Sequence, residues 1–202
     1  MIEIFRKGGV VMWPLLLASL VSLTVVIERL IFIVREHARR RPGVVEKLLA
    51  SVESGDLKAA IKVGRGCPDF VARTLAYGLA HRERSFSNAL LRAANQELKR
   101  FNQGLPVLDT IITLAPLLGL FGTVTGMIRA FGLLGGQELE APTVITGGIA
   151  EALIATAFGL IIAIVSLIPF NYLNTRLEEA RHELEDAATH LELLLMEPAG
   201  KP

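Results

Sequence analysis

The fold of this chain follows from one stretch of sequence: Val144-Ile-Thr-Gly-Gly-Ile-Ala-Glu151-Ala-Leu-Ile-Ala-Thr156-Ala-Phe-Gly-Leu-Ile-Ile-Ala-Ile-Val165. About 20 apolar residues let a helix cross a bilayer, so the stretch predicts a transmembrane helix. Its single charged residue is Glu151. Because an acidic residue at the centre of a span costs roughly 2.5–3.5 kcal/mol, it usually marks an ion or proton path. The alternative is a carboxylate neutralised by a neighbouring helix.

Two further stretches are equally apolar. Residues from about 10 to 34 are uncharged until Glu28-Arg29, and residues from about 105 to 134 carry only Asp109 and Arg129 as charges. The chain of 202 residues is 51% hydrophobic, and its charged residues lie in blocks between the apolar stretches. This composition is typical of a small multi-span membrane protein with a polar domain.

The same composition argues against several other classes of protein. A net charge of +1 gives no reason to expect nucleic acid as a partner. The lone Cys67 can form no internal disulfide, and the four histidines show no metal-ligand spacing. The polar segments contain no pairing of a nucleophile with a base. We therefore expect no enzymatic activity, no metal and no cofactor, and membrane lipid as the surroundings.

The predicted fold is an all-α membrane protein whose second and third transmembrane helices extend into a helical cytoplasmic domain. Its predicted segments are an N-terminal periplasmic or interfacial segment (1–9), transmembrane helix 1 (10–34), a cytoplasmic helical domain (35–104), transmembrane helix 2 (105–134), a short periplasmic loop (135–143), transmembrane helix 3 (144–173), and a cytoplasmic C-terminal helix and tail (174–202).

The orientation follows from the basic residues beside the spans. Arg35 and the block Arg39-Arg40-Arg41 follow the first span, whereas residues 134–143 contain no Lys or Arg. Arg6 and Lys7 argue mildly for the opposite orientation but are outnumbered. The positive-inside rule predicts a periplasmic N-terminus and a cytoplasmic C-terminus.

Local signals divide the cytoplasmic segment into helices. Asp56, Asp69 and Ser87 each precede a helical pattern and are predicted to be N-caps. Gly104 and Pro106 predict a break or kink before the second span.

After the third span, apolar residues recur at alternating spacings of three and four: Leu177, Ala180, Leu184, Ala187, Leu191 and Leu194. The seam fits packing against helices of its own chain, or packing against neighbouring subunits. Both interpretations predict that the third span continues as one long helix.

Small residues form a stripe along each of the last two spans. The second span carries Ala115, Gly119, Thr123, Gly126 and Ala130, and the third carries Ala152, Thr156, Gly159, Ala163 and Ser166. Such surfaces let membrane helices pack closely. The stripes alone do not distinguish packing of this hairpin against itself from the wall of a pore.

Arg129 offers a partner for Glu151. The two residues lie nearly equidistant from the loop that joins the second and third spans. An antiparallel hairpin therefore places them at similar depth, and a salt bridge between them is the structural alternative to a proton path.

Two motifs in these spans resemble a known family. Ala115-Pro-Leu-Leu-Gly-Leu-Phe-Gly-Thr123-Val-Thr-Gly126 and Gly148-Ile-Ala-Glu151-Ala-Leu-Ile-Ala-Thr156-Ala-Phe-Gly159 resemble the paired signature of the MotA/TolQ/ExbB proton-channel family. The three-span plan, and Glu28-Arg29 followed by basic residues, are similar to its ExbB/TolQ branch. The resemblance covers essentially the whole chain.

The resemblance implies roles for particular residues. Thr123, Glu151 and Thr156 match positions that line the proton path. Arg129 and Asp109 match no family role. The helix-packing positions are expected to be Gly119, Gly122, Gly126, Ala152, Gly159 and Ala163.

The resemblance also implies partners and an energy source. It implies a motor subunit of the bacterial inner membrane, powered by the proton gradient, with five copies around an ExbD/TolR-type single-span protein. The partner supplies a second intramembrane carboxylate, and the work passes to a TonB- or TolA-type protein. ExbB-like and TolQ-like roles, in outer-membrane import or envelope maintenance, both remain open.

Two other functions compete with the motor. One is a static membrane scaffold that holds a single-span partner and has no proton path of its own. The other is half of a secondary transporter, which three spans without an inverted repeat support poorly.

Overall fold

The computed structural model describes residues 8–132 and 141–196, except the side chains of residue 84 and of residues 141–145. Residues 135–140 of the predicted loop at 135–143 lie outside the described residues. Within the described ranges the chain is all α, as predicted. It forms helices α1 (Met12–Arg39), α2 (Pro42–Glu53), α3 (Leu57–Arg65), α4 (Phe70–Ala80), α5 (Arg82–Asn102), α6 (Leu105–Gly132) and α7 (Ala141–Met196).

Three stretches of helix are long and apolar enough to cross a membrane: α1, α5 from Ser85 together with α6, and α7 from Thr146. Large apolar side chains remain exposed along them, including Leu17, Leu117 and Ile168. Soluble monomers rarely expose such continuous apolar surface, and a lipid environment accounts for it. The expectation of three spans is therefore consistent with the structure.

The chain divides into two compact units. Among the described residues, those within 1–29 and 104–172 form the span unit, and those within 30–103 and 173–202 form the helical unit. In the span unit, Met12 and Leu15 of α1 are buried beside Ala115 of α6, and Phe158 of α7 packs on the same cluster. Ser22 of α1 and Ser166 of α7 form a buried hydrogen bond of 2.6 Å, which gives each hydroxyl a partner.

Two predicted caps of the helical unit are confirmed. The Asp56 carboxylate accepts a hydrogen bond from the Ala59 amide at the start of α3. The Asp69 carboxylate accepts hydrogen bonds from the Val71 and Ala72 amides at the start of α4. Each carboxylate satisfies amides that a helix start leaves without intrahelical partners.

The third predicted cap, Ser87, is wrong. Ser87 lies inside α5, whose backbone is interrupted two residues earlier, at the extended residue Ser85. The Ser85 hydroxyl accepts a hydrogen bond of 2.8 Å from the Asn88 side chain. The earlier break leaves Phe86 helical, and Phe86 and Leu90 both contact the face of α4 at Gly78.

The predicted break before the second span is confirmed. Helix α5 ends at Asn102 and α6 begins at Leu105, with Gly104 at a φ of +85° between them. A Cβ on Gly104 would lie 3.0 Å from the Val25 side chain of α1. Only glycine meets both the backbone conformation and the close approach without strain.

The predicted continuation of the third span as one long helix is also confirmed, because α7 extends from Ala141 to Met196. In the helical unit, its residues Leu177, Leu184 and Leu191 are buried. Glu183 of α7 forms a salt bridge of 2.5 Å with Arg40, which directly follows α1. The seam therefore packs against helices of its own chain.

Candidate functional site

Helices α6 and α7 approach each other closely enough for their backbones to touch. A Cβ on Gly159 of α7 would lie 2.5 Å from the Ala115 carbonyl oxygen of α6. A Cβ on Gly119 would lie 2.9 Å from the Thr156 Cα, and one on Gly126 would lie 2.9 Å from the Ala152 Cβ. The small residues are needed because any larger side chain would force the two helices apart.

One member of this interface was missed by the sequence analysis. Ala155 is 1% exposed, and a Cβ on Gly122 would lie 2.6 Å from the Ala155 Cβ. The predicted stripe takes Thr156 at this turn of α7. Ala155, the residue before it, also faces α6, so the interface is wider than a single line of residues. Ala163 of the predicted stripe is buried as well.

The two candidate threonines lie at the margin of this interface, and both are half-buried. The Thr156 hydroxyl donates to the Gly119 carbonyl across the hairpin, at 2.9 Å. The Thr123 hydroxyl donates to the Leu120 carbonyl of its own helix, at 2.6 Å. Each hydroxyl oxygen still has acceptor capacity, so each can order a water molecule.

Glu151 and Arg129 form the pair that their equal distances from the loop predicted. Arg129 Nη1 lies 3.3 Å from Glu151 Oε1. The Glu151 side chain is 31% exposed and the Arg129 side chain 56% exposed. The pair is therefore at the surface of this chain rather than sealed between its helices.

A third element reaches Glu151, which no sequence signal indicated. Gly9 lies before α1, and a Cβ there would be 1.9 Å from Glu151 Oε1. The carboxylate of α7 thus lies next to Arg129 of α6 and next to the backbone of the turn that leads into α1.

The acidic residue of the second span, Asp109, lies far along α6 from the candidate Thr123. Asp109 is exposed on α6, 14 residues before Thr123, which is about 21 Å along a helix. Among the described residues, no group of three or more His, Cys, Asp or Glu is placed to hold a metal ion. What the site offers is one carboxylate, one guanidinium and two hydroxyls.

Comparisons with known proteins identify a family and several relatives for this chain. The model of the MotA/TolQ/ExbB proton channel family matches residues 67–186 of this chain. The biopolymer transport protein ExbB-like 1 of Synechocystis sp. is 39% identical over 210 residues, covering 100% of this chain and 82% of its own length. The Tol-Pal system protein TolQ of Haemophilus influenzae is 41% identical over 88 residues, covering 44% of this chain and 39% of its own. The biopolymer transport protein ExbB of Neisseria gonorrhoeae is 36% identical over 101 residues, covering 50% of this chain and 46% of its own.

Proposed function

Because this chain belongs to the MotA/TolQ/ExbB proton channel family, we propose that it is the channel-forming subunit of a motor driven by the proton gradient. The family assignment predicted from the paired motifs is confirmed. Together with its three apolar helices, membership in the family makes the chain a multi-pass membrane protein.

The observation that carries the proposal is where the polar groups lie. At its glycines, the interface between α6 and α7 is filled by backbone and small side chains. Thr123, Glu151 and Thr156 instead lie partly exposed at its margin. A path that uses them must be completed by another subunit or a partner.

The need for a partner also follows from the chemistry. Threonine hydroxyls order water but do not titrate near neutral pH, and Glu151 is a single carboxylate. We propose that five copies surround the transmembrane helices of an ExbD/TolR-type protein, which supplies the second carboxylate. One charge that crosses 100 mV releases about 2.3 kcal/mol. The assembly would deliver this energy to a TonB- or TolA-type protein, for outer-membrane import or for envelope maintenance.

The same proposal gives the chain a location and an orientation. It lies in the bacterial inner membrane, with its N-terminus in the periplasm and its C-terminus in the cytoplasm. The arginines after the first span support this orientation through the positive-inside rule.

One observation favours a second candidate, a static scaffold that holds a single-span partner and has no proton path. The Arg129–Glu151 contact is the pair that a purely structural role for Glu151 requires. In a scaffold the pair would become enclosed on assembly. Breaking an enclosed pair by removing one charge typically costs about 3–5 kcal/mol.

Charge removal at both positions separates the two functions. If Glu151 carries protons, Glu151→Gln assembles with the partner but loses proton flux, and the double variant with Arg129→Gln stays inactive. If Glu151 only packs, the single variant fails to assemble and the double variant restores both assembly and activity. Co-purification with the partner and proton flux into vesicles measure the two properties. Restored activity in the double variant would contradict the proton-path role of Glu151.

A further inference from the structure

The turn that precedes α1 requires glycine at position 9 for two independent reasons. Gly9 has a φ of +73°, a conformation that residues with a side chain rarely adopt. A Cβ there would also lie 1.9 Å from Glu151 Oε1 and 2.8 Å from Glu151 Cδ. A side chain on residue 9 would therefore overlap the Glu151 carboxylate and displace it.

Contacts on both sides of Gly9 fix this turn to the hairpin. The Met12 amide donates to the Gly9 carbonyl at 3.2 Å, and the Met12 side chain is 1% exposed. A Cβ on Gly8 would lie 3.2 Å from Ile154, which is three residues after Glu151 and so on the same side of α7. Val11 lies near Gly122 of α6. The turn is thus held by both α6 and α7.

We propose that Gly9 is a positioning residue that fixes where the Glu151 carboxylate lies in the proton path. This inference rests on the proposed function. Arg129 bounds the carboxylate on one side and Gly9 bounds it on another, while 31% of the side chain stays exposed for exchange. The N-terminal turn, which belongs to neither paired motif, completes the site.

A fixed carboxylate matters because proton transfer depends on distance. A donor and an acceptor must come within about 2.6–3.2 Å, directly or through one water. Unconstrained, the flexible Glu151 side chain could take several positions. A misplacement of 1 Å can reduce a rate by about 100-fold.

The test is Gly9→Ala in the complex that co-purifies with the single-span partner. The matched control is Gly55→Ala, because Gly55 also has a positive φ, of +80°, but a Cβ there meets nothing within 4 Å. Proton flux is measured with a pH-sensitive dye in vesicles whose membrane potential is set by potassium and valinomycin. We expect flux to fall about 10- to 100-fold in Gly9→Ala, with co-purification unchanged and Gly55→Ala equal to the unmodified complex.

A double-mutant cycle with Glu151→Asp tests the contact itself. The shorter Asp side chain withdraws the carboxylate from Gly9 by one methylene, so Gly9→Ala should have a smaller effect in the Asp background. The second readout in each variant of the cycle is the rate at which dicyclohexylcarbodiimide modifies residue 151, measured by mass spectrometry. That readout does not depend on flux.

Unchanged flux in Gly9→Ala, loss of co-purification together with flux, or equal fractional effects of Gly9→Ala in the Glu and Asp backgrounds would each overturn the inference. An unmodified complex without flux would instead refute the proposed function, so the two failures are distinguishable.

Discussion

The two candidate threonines make different hydrogen bonds, and this difference makes their roles separable by mutation. Thr156→Val removes the hydrogen bond to Gly119, which in membrane proteins is worth about 0.6 kcal/mol. Thr123→Val removes only a bond within its own helix. We expect both variants to lower proton flux, because both lose a hydroxyl that can order water.

Thermal stability distinguishes the two variants. Only Thr156→Val should lower the melting temperature of the purified complex, since only its hydroxyl joins two helices. Flux that stays at the unmodified level in Thr123→Val would remove Thr123 from the proton path.

At the residue scale, what could be predicted depended on whether a signal was local. A lone carboxylate in an apolar stretch is visible in the sequence, so Glu151 and its candidate partner Arg129 could be named. The role of Gly9 could not be predicted, because it depends on a backbone angle and on a contact with a residue far along the chain. Ala155 was missed because the predicted stripe takes one residue at each turn, whereas both Ala155 and Thr156 contact α6.

At the scale of elements, Asp69 holds several parts of the helical unit together. Its side chain is fully buried and lies 2.6 Å and 2.5 Å from Arg40 Nη1 through its two oxygens. It also accepts hydrogen bonds from the Arg41 and Val71 amides. Asp69 therefore joins the segment after α1 to the start of α4.

We predict that Asp69→Ala destabilises the helical unit by about 3–5 kcal/mol, because it removes a fully buried charge partner of Arg40. It also removes the acceptor of the Arg41 and Val71 amides, although Arg40 keeps its salt bridge to Glu183. The matched control is Asp56→Ala, which removes an exposed cap and should cost about 1 kcal/mol. The rate of limited proteolysis after α1, compared between the two variants, measures the difference. Similar rates for both would contradict the central role of Asp69.

The same elements show the limits of prediction from sequence. Both aspartate caps were found because a cap is made by residues adjacent in sequence. The break in α5 was placed at the wrong serine of Ser85-Phe86-Ser87, since the choice depends on how Phe86 packs against α4. The contact between Asp69 and Arg40 joins residues that are 29 positions apart, and no local sequence pattern indicated it.

At the scale of the whole molecule, three apolar stretches and two motifs were enough to predict an all-α membrane protein and its family. The seam along α7 did not distinguish its own chain from a neighbour, because periodicity shows only that one face is buried. The structure resolves this point, since Leu177 and Leu191 are buried within one chain. The assembly of several copies is still a proposal.

The proposed orientation is tested by labelling cysteines with a maleimide that does not cross membranes. A Cys at Gly136, in the predicted periplasmic loop, should react in intact cells whose outer barrier has been made permeable. Native Cys67 is buried and so does not report on its compartment. A Cys at the exposed Ser54, in a Cys67→Ser background, should react only after the cells are lysed. The reverse pattern would contradict the orientation.

The most direct test of the account is proton flux through the purified complex in vesicles with a defined membrane potential and an internal pH-sensitive dye. We predict that an inside-negative potential acidifies the lumen when the chain and its single-span partner are both present. We predict no acidification above that of empty vesicles for the chain alone or for the complex with Glu151→Gln. Flux that is absent from the unmodified complex, or equal in the complex with Glu151→Gln, would contradict the claim that this chain carries protons through Glu151.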